Sequence, residues 1–448
     1  MNCSGGQTFG GLIFLLVFAT VFLLLILIGV PFRVALIAVT ACVILATAFI
    51  NTDVALIILI FSMLLSPEMR TGGGIGGGRQ VVIRADDIFI ILIFVGWMAK
   101  MAINKELGLL RSSSLNMPIL SYALICVTAT FLGILAGNQK MKASFFYVLK
   151  YIEYFLIYFM VSNHLKNLRQ ARQLIFFILL TCFLVCVYAA VSGPIDGRMS
   201  APFEGPGGEP NTFAGYLVLM MSLMIGMLIY PVSGRQRIAL FGLLGLSAVV
   251  FLLTLSRSGW LAFIPAFLTF IFLNRQHRII LIAVLMLGVI ILPLVAPKEV
   301  QNRINETFVP WKTYRVMGAR VGVDESAAAR IDSWGVGVKA WVKRPILGYG
   351  VPAGTVVDNQ YVRVLTETGI VGFLVFIWMI AATLGVALRN FRTMEGNNFA
   401  RGVIIGFIAG FMGLLAQSTT AATFIIIRIM EPFWFLVAII VMLPELEE

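Results

Sequence analysis

The chain has 448 residues, of which 60% are apolar and 12% charged, with a formal net charge of +12. Soluble globular domains run near about 45–50% apolar and about 25% charged, so a water-soluble enzyme is excluded, and so is a disordered chain. The cations are scattered between apolar runs of membrane length, which excludes a nucleic-acid-binding face. At about 20 residues per span, roughly 12 to 14 spans would leave room for one modest extramembrane region. The expected fold is an all-α polytopic membrane protein.

Apolar runs of helical length fall at 11–30, 33–50, 54–65, 88–103, 118–136, 144–162, 174–192, 212–231, 238–255, 258–273, 279–296, 364–388, 402–417 and 421–443. They divide the chain into N-terminal spans (1–192), central spans with an outer loop at 193–211 (193–296), a large polar loop (297–360) and C-terminal spans (361–448). The first run lacks a small-residue cleavage site after it and reads as a retained span. No repeat period and no transporter-type internal symmetry is apparent.

With the N-terminus inside, the inner loops carry twelve Lys and Arg and the short outer segments eight. That bias places both termini in the cytoplasm and the 193–211 and 297–360 loops outside. In the large loop, Ala327, Ala328, Ile331, Trp334, Val338 and Trp341 recur at three- and four-residue steps. The spacing predicts a helix over 325–343, placed to cap a cavity at the membrane face. The outer loop 193–211 holds Asp196, Arg198, Glu204 and Glu209.

Five cysteines show no ligand or disulfide spacing; Cys182 and Cys186, one turn apart, suit packing. The two histidines, His164 and His277, sit in separate basic loops, which excludes a histidine metal cluster. Gly72 to Gly78 contains GxGxxG but opens no nucleotide-binding unit, and reads as a flexible loop. The chain has no GxxxxGK[ST], HExxH or DxD. Nucleotide-driven and metal-driven chemistry therefore lack visible apparatus.

What remains is a set of polar residues near the outer ends of spans. Ser256-Arg257-Ser258-Gly259 interrupts an apolar stretch: Arg257 either snorkels in a tight turn or offers a donor fork to an anion. Arg330, with Asp332, Trp334 and Lys339 nearby, stands on the predicted outer helix, where a solvated face is the default. Asp358 and Asn359 precede a span, as an N-cap would or as reactive groups would. Glu367 lies inside the same span, and a carboxylate that deep has a partner or a task. Tyr147, Tyr151, Tyr154 and Tyr158 form one helix stripe. The pairs Lys150/Glu153 and Arg428/Glu431 either neutralise themselves at i,i+3 or line a polar cavity.

In this order the residues resemble the O-antigen ligase and O-antigen polymerase superfamily of bacterial envelope membrane proteins. Asp358-Asn359, nine residues, Gly369, two residues and Gly372 reproduce the spacing of the ligase signature. Asn211 with Ala214, Ser256-Arg257, Arg330 with Trp334, and Pro345 with Gly348 and Gly350 are similar to upstream family features. The likeness covers roughly 190–375, and the N-terminal half only by hydropathy. Where the ligases carry His, this chain carries Asp358, which points toward the polymerase side.

The resemblance implies a periplasm-facing glycosyltransferase of the bacterial inner membrane, with the helical architecture of the GT-C class. Its donor would be an undecaprenyl-diphosphate-linked glycan and its acceptor a second glycan, with no cofactor, metal or nucleic acid. A chain-length regulator is a partner such an enzyme would have. Arg257, Arg330 and Arg198 would hold the diphosphate, Asp358 would act as base with Glu367 as second candidate, and Asn211, Asn359, Tyr361 and Trp334 would contact substrate. The alternatives are a ligase that transfers glycan to lipid A core or protein, and a transporter or flippase; some relatives have been labelled bicarbonate transporters.

Overall fold

A computed structural model describes residue 20 and residues 32–70, 82–103, 111–205, 207–316, 319–354 and 357–446. The first apolar run, Cys3, the Gly72–Gly78 loop and Lys105 lie outside the described residues. Helices α1 (Phe32–Ile50), α2 (Thr52–Leu65), α3 (Ala85–Ile103), α4 (Asn116–Leu135), α5 (Met141–His164) and α6 (Leu168–Ser192) form the N-terminal half. The central helices are α7 (Pro210–Ile229), α8 (Gly234–Leu253), α9 (Arg257–Leu273) and α10 (Arg278–Val295). The polar loop contributes α11 (Lys298–Glu306), strands β3 (Lys312–Val316) and β4 (Ala319–Val323), and α12 (Glu325–Lys343); β1 (Glu68–Arg70) and β2 (Val82–Arg84) form a second small hairpin. Helices α13 (Gln360–Thr393), α14 (Asn398–Gln417) and α15 (Ile427–Met442) close the chain.

The protein is an all-α polytopic membrane protein. Among the described residues eight helices are long and apolar enough to cross a bilayer: α4 to α8 and α13 to α15. Helices α2 and α9 are apolar but only 14 and 17 residues long. Every apolar run from 33 onward coincides with a helix, although α15 starts at Ile427 because Thr423–Ile425 form a 3-10 turn.

Hydrogen bonds join loops that the sequence reading assigns to the same face. At one end Ser66 meets Asp86, Gln139 meets Tyr349, Arg198 meets Thr254 and Asn359 meets Thr419. At the other, His164 meets Asp53, Arg111 meets Leu165 and Arg389 meets Ser114. The tightest helix pair is α7 with α14, where Gly226 lies against the backbone of Gly402 and Gly406. Small residues permit that approach, and packing then supplies the attraction that a hydrophobic effect cannot provide inside lipid.

Helix α13 is broken. Gly369 has φ 65° and ψ −166°, so backbone groups on either side of it lose helical partners. Unpaired backbone is costly at membrane depth unless protein covers it. The turn after α12 supplies the cover. Ile370 and Val371 N–H donate to the carbonyls of Pro345 (2.8 Å) and Ile346 (3.3 Å). Tyr349 and Gly350 N–H donate to Thr366 (3.0 Å) and Glu367 (2.8 Å). A Cβ at Gly369 would collide with the Ile346 carbonyl, and one at Gly348 with the backbone of Glu367; both glycines have positive φ. Helix α12 is thereby tied to the interior of the bundle.

Two expectations need correction. The Lys150/Glu153 and Arg428/Glu431 pairs do not chiefly neutralise themselves. Lys150 donates to Asp87 on α3 at 3.0 Å and stands 4.0 Å from Glu153. The Arg428 guanidinium takes the carbonyls of Leu64 (3.1 Å), Pro202 and Phe203, while both Glu431 oxygens are buried without a partner among the described residues. Cross-helix partners win because each cation faces a neighbouring element. Of the tyrosine stripe, Tyr151, Tyr154 and Tyr158 are buried and pack around Trp434 and Tyr122.

Candidate active site at one end of the bundle

The sharp turn between α8 and α9 begins the site. Leu255 has φ 51°, and Ser256 caps α9 by accepting from Gly259 N–H at 3.3 Å. The Ser256 hydroxyl donates to Asn211 Oδ1 at 2.7 Å, and Arg198 Nη2 donates to the same oxygen at 3.3 Å. Arg198 also donates to the carbonyls of Thr254 (2.9 Å) and Leu255 (3.4 Å), which end α8. Gln417 on α14 donates to the Asn211 carbonyl at 2.9 Å. Asn211 therefore joins the 193–211 loop, the Ser256 turn and α14 into one floor.

Arg257, the next residue, leaves this floor and reaches the polar loop. Its guanidinium grips Asp324 through two hydrogen bonds of 2.8 and 2.9 Å and donates to Thr307 at 3.0 Å. Asp324 also caps α12 by accepting from Ala327 N–H at 3.1 Å. Burial pushes the Asp324 carboxyl up, but the Arg257 fork and the Ala327 N–H outweigh it and hold the group below its ordinary range.

Helix α12 then carries Arg330 and Trp334 over the mouth of α13. The Trp334 indole N–H donates to the Asp358 carbonyl at 3.2 Å, and Asp358 N–H donates to Ser333 at 3.4 Å. The cap of α13 is Asn359, whose side chain accepts from Tyr361 and Val362 N–H and donates to the Thr419 carbonyl at 2.8 Å. Tyr361 OH donates to the Leu415 carbonyl at 2.8 Å. Asp358 is thus released from capping. Its carboxylate takes part in no hydrogen bond among the described residues, and its charge faces Arg330.

Four arginines influence one another across this region, with Arg257 paired to Asp324 and Arg303 paired to Glu306. Burial lowers Arg198 below the usual guanidinium range, and repulsion from Arg303, Arg330 and Arg257 lowers it further. Arg330 is lowered by burial and by Arg257 and Arg303, with Asp358 and Asp324 acting in the opposite direction. Partly desolvated cations that repel one another can accept an anion. Arg303, on α11, belongs to this group although sequence reasoning missed it. So does Asp324. Both lie in the polar loop, where no apolar period marks a long-range partner; the only signal was their position between Arg257 and Arg330.

Glu367 is separate from this group. Its carboxylate, only 2% exposed, accepts from Arg363 Nε at 2.8 Å and from Tyr151 OH at 3.1 Å. It fastens α5 to α13 just before the break at Gly369. Arg363 is a third residue that the sequence reading passed over, although its i,i+4 spacing to Glu367 was visible.

Residues 242–377 match the family model described as O-antigen ligase. The match supports the O-antigen ligase and polymerase superfamily for this chain. No curated protein matches the chain. The matched segment contains Arg257, Arg303, Asp324, Arg330, Trp334, Asp358, Asn359, Tyr361, Glu367 and both signature glycines. Arg198 and Asn211 stand outside it and enter the site through the fold. A family of O-antigen ligase type supports a glycosyl-transferring membrane enzyme with a lipid-linked glycan substrate.

Proposed function

We propose that this protein is a glycosyltransferase that polymerises glycan repeat units carried on undecaprenyl diphosphate, at the periplasmic face of the inner membrane. The observation that carries the reading is Arg330, whose charge is opposed by Asp358 and which acts together with Arg257 and Arg303, all within the family-matched segment. The donor stores its energy in the sugar–diphosphate bond. The arginines would bind the diphosphate and stabilise the charge that grows on it as the anomeric C–O bond breaks. Asp358 would take the proton of the acceptor hydroxyl as its oxygen bonds to the anomeric carbon, and lipid diphosphate would leave.

Asp358 rather than Glu367 suits the base, because both Glu367 oxygens already accept hydrogen bonds. Asn359, Tyr361 and Trp334 would hold the mouth of α13 in place around the acceptor, and Asn211 would do so for the donor. A ligase reading shares the donor site and differs in acceptor. The test is reconstitution of the purified protein with a lipid-diphosphate oligosaccharide, followed by gel separation of products. A ladder of lengths supports polymerisation. A single addition to an offered lipid or protein acceptor makes it a ligase, and transport of the lipid-linked sugar without transfer overturns the proposal.

A further inference from the structure

At the opposite end of the bundle, a cleft of about 920 Å³ lies between α6 and α8. Its walls are apolar over several turns, with Ile175, Phe176, Leu179 and Phe183 from α6 and Leu240 and Leu243 from α8. Phe176 and Phe183 are well exposed, so the trough opens toward lipid. Its floor includes Gly242, where a Cβ would meet nothing within 4 Å. The rim is polar: Arg172, Ser233, Gln236, Asn397 and Asn398.

The rim is also one-sided in charge. Arg172 is the only charged residue of the lining, and it lies over the Phe399 ring at 5.2 Å with no carboxylate partner among the described residues. Exposed Arg169, Arg235 and Arg237 stand on the adjoining turns, and exposed Glu395 precedes the lining residue Gly396 in the sequence. The capped N-termini of α8 and α14, at Ser233 and Asn397, end at the same rim and add positive potential.

We infer that this cleft is a binding site for an anionic phospholipid of the cytoplasmic leaflet, its phosphate at Arg172 and an acyl chain along the Gly242 trough. Twelve residues of α6 from Arg172 to Phe183 rise about 17 Å, enough to bury most of one acyl chain. The charged rim selects the headgroup, because a cation at the surface attracts anionic lipid. The site is independent of the glycosyl-transfer chemistry at the other face.

Native mass spectrometry of the whole protein, released from detergent with phosphatidylglycerol or phosphatidylcholine, tests this. Phosphatidylglycerol should be retained about tenfold better, in line with one charge-assisted contact. Arg172→Gln should remove that preference, Gly242→Trp should reduce retention of both lipids, and Arg275→Gln on a neighbouring inner loop should change nothing. Equal retention of the two lipids by the wild type overturns the inference, as does undiminished retention by a folded Gly242→Trp protein. If that variant does not fold, the Arg172→Gln comparison decides.

Discussion

Arg257 and Asp324, 67 residues apart, meet through two hydrogen bonds of 2.8 and 2.9 Å and lock the α8–α9 turn onto the start of α12. The carboxylate occupies the guanidinium fork as a phosphate would. If Arg257 binds the donor as proposed, Asp324 competes with it for the fork. Asp324→Asn, which still caps a helix, should leave the protein folded and tighten binding of lipid diphosphate. Arg257→Lys keeps the charge and loses the fork, so donor affinity should fall by about tenfold or more. Titration of both variants with lipid diphosphate checks the pair; weaker binding by folded Asp324→Asn would show that the carboxylate assists the site.

The break in α13 gives a stability prediction. Gly369→Ala forces a Cβ against the Ile346 carbonyl at a positive φ, and the neighbouring backbone cannot yield without exposing the polar groups of Thr366 and Glu367. It should cost more than about 3 kcal/mol or abolish folding. Gly385→Ala, on the same helix with open space around it, should be neutral or mildly stabilising. Thermal unfolding of the two variants in detergent makes the comparison.

Much of the helical skeleton was legible, because apolar runs of span length have no other use for so much hydrocarbon. The 325–343 helix was legible too, through the stripe that includes Ala328 and Trp334. The hairpin of β3 and β4 was not: Lys312-Thr-Tyr-Arg-Val alternates too briefly, and its pairing with Ala319–Val323 is a tertiary fact. Within the site, Arg257, Arg330 and Asp358 could be singled out as charges at span ends. What Arg257 would grip could not, since Asp324 shares no helix with it. The same limit misassigned Lys150, whose partner Asp87 sits on another helix.

Glu204 yields a pH dependence. Burial, countered by Arg428, raises its carboxyl from an ordinary value of 4.5 to about 8. One oxygen accepts from Ala201 and Glu209 N–H and the other has no hydrogen-bond partner among the described residues. The folded state thus binds a proton that the unfolded state has released between pH 4.5 and about 8. Over that window the unfolded state holds fewer protons, so stability falls as pH rises. Melting temperatures of the wild type should drop from pH 5 to pH 9 more steeply than those of Glu204→Gln. Parallel curves would mean that Glu204 stays charged.

Asp358 carries the central claim. Asn359, not Asp358, caps α13, so removing the Asp358 charge leaves the cap intact. General base catalysis is typically worth about 100- to 10,000-fold, far beyond the ~1 kcal/mol of a lost cap. The decisive measurement is the transfer rate of Asp358→Asn in proteoliposomes at saturating lipid-diphosphate donor, with the melting temperature of the same sample. The account predicts an unchanged melting temperature, retained donor binding and a rate lower by at least about 100-fold. A stable Asp358→Asn protein that transfers glycan at the wild-type rate would contradict it.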